Sequence, residues 1–178
     1  MILKKINAVL GLTIIGFLLG HIFLSLLIKI TDWYLPFLPS LFSMGLLVTN
    51  VFHVVLSVLI VFFYHDRRRY SYPRYNASTI LQHITGVLTF LLVVVHMNAN
   101  AYLESVQLHS AVESGLRYIL TLFYYPVVAL HVILSIPRGI ITLGLVRTER
   151  NLQRIQLSAA LFLTLVTVMA IIIQIKTS

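Results

Sequence analysis

Five stretches of this 178-residue chain contain no aspartate, glutamate, lysine or arginine: residues 6–28, 33–65, 75–103, 118–137 and 155–175. About 20 apolar residues in a helix cross the hydrocarbon of a bilayer, and a backbone inside hydrocarbon must satisfy its own hydrogen bonds. The lengths therefore predict five transmembrane helices. The second stretch is too long for one span, but Pro36, Pro39 and Ser40 are turn and helix-start residues. They put its helix at about 41–64 and leave 33–39 as an interfacial loop. The other helices are expected at about 6–29, 78–102, 117–145 and 154–175.

Composition agrees. With 59% hydrophobic and 10% charged residues and a mean hydropathy of +0.96, the chain cannot cover itself with a polar surface. The expected fold is an all-α membrane protein, residues 1–178 forming a single domain built as a bundle of five transmembrane helices. The first apolar run follows Lys4 and Lys5 as a signal peptide would. It is much longer than the usual 7 to 15 apolar residues, so it is read as a span.

The net charge of +8 does not point to nucleic acid, because the basic residues lie on short loops. Lys4, Lys5, Arg67, Arg68, Arg69, Arg74, Arg147, Arg150 and Arg154 fall on one side, against Lys29, Arg117 and Lys176 on the other. The positive-inside rule then predicts a cytoplasmic N-terminus and an external C-terminus. The run Arg67 to Arg69 reads as an orientation signal that meets acidic lipid headgroups. With no cysteine, the chain can form no disulfide and cannot itself hold an iron–sulfur cluster. It has no glycine-rich dinucleotide loop, no nucleophile elbow and no long polar region for a substrate site, so it is not expected to be a complete dehydrogenase.

Four histidines, His21, His53, His96 and His131, sit inside the first four apolar stretches, and the fifth has none. An ionisable residue at membrane depth is costly and marks a functional site by default. At 1.5 Å rise per residue, His21 and His96 each lie about 12 Å below the external boundary, and His53 and His131 about 20 Å below it. Depth pairs His21 with His96 and His53 with His131. Two bis-histidine sites stacked across the bilayer are the arrangement that suits two b-type haems, whereas zinc usually gathers four ligands including carboxylate or cysteine. The alternative is that the histidines serve as polar glue between helices.

Helical periodicity sorts the neighbours. Gln82, Thr85 and Thr89 share the face of His96 to within about 40°, a polar stripe that should face protein. Thr49, Ser57 and Tyr64 fall near the His53 face, and Asn7 near that of His21. Arg138 lies seven residues after His131 on the same face, where a cation could meet a haem propionate, with Ser135 beside it. His65 and His109 read as solvated residues, and His83, about 140° from His96, is a poor third ligand. Gly16 and Gly20 form a GxxxG spacing expected to serve helix packing, and Pro126 and Pro137 are expected to kink the fourth helix.

These residues resemble the dihaem, five-helix cytochrome b anchor of succinate:menaquinone oxidoreductases and quinol:fumarate reductases. The resemblance runs through YSYPRYNASTILQHITGVLTFLLVVVH (Tyr70 to His96), LGLTIIGFLLGH ending at His21, FHVVLSVLIVF around His53 and LHVILSIPRGI around His131. It implies a distal haem on His21 and His96 and a proximal haem on His53 and His131, all four as axial ligands of iron. It also implies menaquinone as the substrate quinone near the distal haem. The partners it implies, docked on the cytoplasmic side of a bacterial or archaeal membrane, are an FAD-bearing flavoprotein subunit and an iron–sulfur subunit that carries the clusters.

Asn7 stands where some relatives have a glutamine near the proximal propionates, and Arg138 where some have a lysine. His83 replaces an arginine of many relatives, which removes that arginine's role. Ala129 replaces a glutamate of some fumarate reductases, so the proton path through that acid is not implied. Asp32, Glu104 and Glu113 are the external acids on offer to a quinone, Asp32 being nearest the first span. A cytochrome b of a hydrogenase or formate dehydrogenase, and a haem-free transport or structural protein, are the competing expectations.

Overall fold

The computed structural model describes residues 2–31, 37–63, 73–106, 111–146 and 148–177. They form five helices: α1 (Ile2–Thr31), α2 (Phe37–Phe63), α3 (Pro73–Val106), α4 (Ala111–Leu143) and α5 (Glu149–Thr177). Each contains a segment long and apolar enough to cross a membrane. No strand occurs among the described residues.

The helix ends differ from those read off the sequence. α2 begins at Phe37, not near Leu41, because Pro39 sits in the first turn, where its missing N–H would have had no intrahelical acceptor. α3 begins on Pro73 itself, whose fixed φ suits the first helical position. It continues to Val106 through Asn98, Asn100 and Glu104, and α5 starts at Glu149 rather than 154. Hydropathy marks where a helix leaves lipid, not where its hydrogen bonding stops. α4 runs as helix through Pro126 and Pro137 and ends two residues earlier than expected.

That end has a local cause. Gly144 adopts φ 72°, its N–H donates to the Ile141 carbonyl at 3.0 Å and the Leu145 N–H donates to the Ile140 carbonyl at 3.1 Å. This is a Schellman stop, and it needs a residue that accepts positive φ. The Thr148 carbonyl then accepts the Leu152 N–H at 3.2 Å, and Glu149 places a negative charge in the first turn of α5.

Apolar side chains mostly face outward. Phe52, Phe62, Phe63, Val87, Leu91, Phe123 and Leu161 are exposed, while the buried apolar set is small: Leu18, Leu24, Val128, Val132, Leu163 and Ala170. In water such a surface would aggregate, whereas lipid tails solvate it.

The chain divides into two compact units, Met1–Ser71 with Ser135–Arg154, and Tyr72–Leu134 with Ile155–Ser178. In the first, α1 and α2 form an antiparallel hairpin whose register is fixed by side-chain contacts. Asn7 meets Ser57, Gly11 meets His53, Phe17 meets Gly45, and Gly20 and His21 meet Phe42 and Ser43. Phe17 and Phe42 pack edge to face at 6.0 Å. On the other side of α1, Gly139 approaches Leu12 and the Ala8 carbonyl. In the second unit α3 and α4 run antiparallel, with Thr85 and Gly86 against His131 and His96 against Tyr124.

Of the GxxxG pair, only Gly20 makes a contact. A Cβ there would overlap the Phe42 ring, whereas one at Gly16 would meet no described atom within 4 Å. Gly20→Ala is therefore expected to destabilise the purified protein by about 1–3 kcal/mol through overpacking. Gly16→Ala should stay within about 0.5 kcal/mol of the parent. Thermal unfolding in one detergent, followed by near-ultraviolet circular dichroism, checks both.

Candidate functional site

Each unit carries two of the four membrane-depth histidines on a helical hairpin. In the first, the His53 ring of α2 lies on Gly11 of α1, where a Cβ would stand 3.4 Å from Cε1. The His53 Nδ1 is buried with no hydrogen-bond partner. The Asn7 amide nitrogen donates to Ser57 Oγ at 3.1 Å, and Ser57 returns its own hydrogen to Asn7 Oδ1 at 3.4 Å. Toward the other end of the hairpin, His21 Nδ1 lies 3.1 Å from Ser43 Oγ.

The second unit repeats the plan. The His131 ring of α4 lies on Gly86 of α3, where a Cβ would come to 3.0 Å from Cε1. Its Nδ1 is 3.2 Å from Thr85 Oγ1, and Thr85 is buried to 3% exposure. Further along α3, His96 stacks flat on Tyr124, with centroids 4.9 Å apart and planes 3° apart, and Tyr125 packs beside Tyr124. Between these levels the Thr89 hydroxyl is buried without a hydrogen-bond partner.

The parallel reaches into the sequence. Gly11 precedes His21 by ten residues and Gly86 precedes His96 by ten, while His53-Val-Val-Leu-Ser57 and His131-Val-Ile-Leu-Ser135 share a pattern. Because His53 is level with Gly11 and His131 with Gly86, each hairpin sets its histidines about 15 Å apart along the odd-numbered helix. Along the even-numbered helices, Ser43 to His53 gives about 15 Å and Tyr124 to His131 about 10 Å. These separations exceed the roughly 8 Å implied by depths counted from loop ends. The reason is that His21 lies beside Ser43, only three residues after Ser40.

The other sequence-selected residues divide clearly. Arg138 and Ser135 lie on the last third of α4, both half-buried, in the unit that holds His53. Asn7 is hydrogen-bonded to Ser57. His83 is exposed on α3. Asp32, His65 and His109 lie outside the described residues, as do the side chains of Glu104 and Glu113. Gly11, Ser43 and Tyr124 were not selected from sequence. The signal for Gly11 was its tenth-residue spacing to a histidine, repeated at Gly86. Ser43 and Tyr124 required the hairpin register.

Among the described residues no group of three or more His, Cys, Asp or Glu is placed to bind a metal. Imidazoles that arrive singly, two per hairpin, suit bis-histidine iron. The orphaned Nδ1 of His53 and the glycine seats under the His53 and His131 rings fit ligands held beside a flat macrocycle.

The fold and site thus define an all-helical chain with five membrane-capable helices and two histidine-bearing hairpins of one design. Comparison with protein-family models, curated proteins and solved structures finds no match to the chain.

Proposed function

We propose that the chain is the dihaem cytochrome b anchor of a succinate dehydrogenase or fumarate reductase complex. It lies in a bacterial or archaeal cytoplasmic membrane with its N-terminus inside, and it passes electrons between an iron–sulfur subunit and menaquinone. The observation that carries this reading is the similar histidine spacing in the two hairpins. In a chain that crosses the bilayer five times successive spans alternate in direction, which would put His21 and His96 toward one leaflet and His53 and His131 toward the other. With similar spacings, one register can bring both pairs level at once. Glue histidines have no need of that match.

In this reading His21 with His96, and His53 with His131, hold two b haems, which supply reversible one-electron transfer when bound. Gly11 and Gly86 keep Cβ atoms away from the His53 and His131 rings. Arg138 offers a cation, and Ser135 and Asn7 hydrogen bonds, to propionates at the cytoplasmic level. The apolar surroundings and the imidazole ligands would set how readily each site accepts an electron. The outer level, that of His21 and His96, is where the quinone would exchange electrons and protons, with Asp32, outside the described residues, as the acid that the sequence offers nearest the first span. The clusters would belong to a partner, since this chain has no cysteine, and the flavin to the flavoprotein subunit.

Purification from native membranes in mild detergent tests the proposal. A flavin-bearing and an iron–sulfur subunit should accompany the chain, and succinate should reduce its haem absorbance. Recovery with a nickel or molybdenum enzyme contradicts the assignment to dicarboxylate chemistry.

A further inference from the structure

The Thr85 hydroxyl has one hydrogen and three neighbours. It lies 2.8 Å from the Leu81 carbonyl, 3.1 Å from the Gln82 carbonyl and 3.2 Å from His131 Nδ1. Carbonyl oxygens only accept, and two oxygens 2.8 Å apart with no hydrogen between them repel, so the hydroxyl hydrogen is committed to its own helix. What Thr85 offers His131 is a lone pair. Nδ1 must then carry the imidazole proton, which puts the ring's lone pair on Nε2. The assignment is firm because Thr85 is buried, so water cannot supply a different partner.

The same stretch of α3 sets the ring's position. Gly86 follows Thr85 directly, and its missing Cβ leaves the space beneath Cε1. Thr85 therefore fixes which nitrogen is protonated, and Gly86 fixes how closely the ring approaches α3. The other three histidines are held differently: His21 meets a serine on the neighbouring helix, His96 a tyrosine face, and His53 has an unpartnered Nδ1.

We infer that Thr85 is a positioning residue that locks His131 in its Nδ1–H form and presents Nε2 as the ligand atom. The haem part of this statement rests on the proposed function, while the tautomer part does not. Removing a partner that orients a metal-bound histidine typically weakens the metal site 10- to 100-fold. Thr85→Val keeps the shape, takes away the acceptor and leaves a buried N–H unpaired. Thr85→Ser keeps the acceptor.

The test has two readouts. First, the full chain is labelled with ¹⁵N-histidine, reconstituted in lipid nanodiscs and reduced with dithionite, so that any bis-histidine iron is diamagnetic. The His131 resonance is assigned by its loss in His131→Gln. The proton is expected on Nδ1, and a proton found on Nε2 overturns the inference even if every Thr85 variant fails to fold. Second, haem retention and low-spin ferric electron paramagnetic resonance are compared between the variants and the parent. Thr85→Val should weaken one of two haems about 10- to 100-fold and alter only its signal, with Thr85→Ser restoring it. Two unchanged haems in Thr85→Val overturn the positioning role and leave the proposed function standing. A parent with no haem at all ends the proposed function, and the nitrogen assignment is still decided by the first readout.

Discussion

His53→Ala, purified with its partner subunits, is expected to hold one haem where the parent holds two, and to lose about half of the reduced b-type absorbance. Low-spin b-type iron needs two strong axial ligands, and the alanine removes one of them from the pair His53 and His131. In the proposed pairing His21 and His96 serve the other haem, and within each hairpin they stand about 10–15 Å from His53 or His131 along the helices, too far for either to substitute. Nor does a neighbour of His53 replace it: Gly11 has no side chain, and Asn7 and Ser57 are bonded to each other. Pyridine haemochrome assay per mole of polypeptide checks the result. Two haems in the variant would remove His53 from the ligand set, and none would deny that the two sites are independent.

Gly86→Leu is expected to remove the same haem from the opposite hairpin. Even a lone Cβ at this position would come to 3.0 Å from His131 Cε1, and the remaining atoms of leucine need room that the ring now fills. The ring must leave its seat, and with it the hydrogen bond to Thr85. A ligand displaced by 1 Å or more loses its grip on iron, since functional groups must be held within about 0.5 Å of their working geometry. The spectrum of Gly86→Leu should therefore match that of His53→Ala, although the two residues lie in different units. Gly16→Leu, at a glycine with no described atom near its Cβ, should keep both haems. Redox titration of the three variants side by side checks this. Loss of different haems in His53→Ala and Gly86→Leu would break the proposed pairing.

Much of this fold was legible because the bilayer asks a simple question of each segment, and runs such as 6–28 and 155–175 answer it by lacking charge. The helix ends were less legible. Glu104 adds a charge without stopping a helix, and Pro39 reads as a breaker although its first-turn position makes it harmless. The four histidines stood out because lipid makes them expensive. Their surroundings did not, since Ser43, Tyr124 and Gly11 are ordinary membrane-helix residues until the hairpin register sets them beside imidazoles. Thr85 was legible as a polar position facing protein. That its hydroxyl bonds His131 rather than His96, whose face it shares on α3, needed the neighbouring helix.

The haem-to-polypeptide ratio of the unmodified chain, purified from haem-replete cells with its companions still attached, tests the central claim most directly. The four histidines predict two b haems per chain, with bis-imidazole low-spin signals and a sharp reduced band. A colourless preparation would contradict the account, and a single haem would contradict the pairing of His21 with His96 and of His53 with His131.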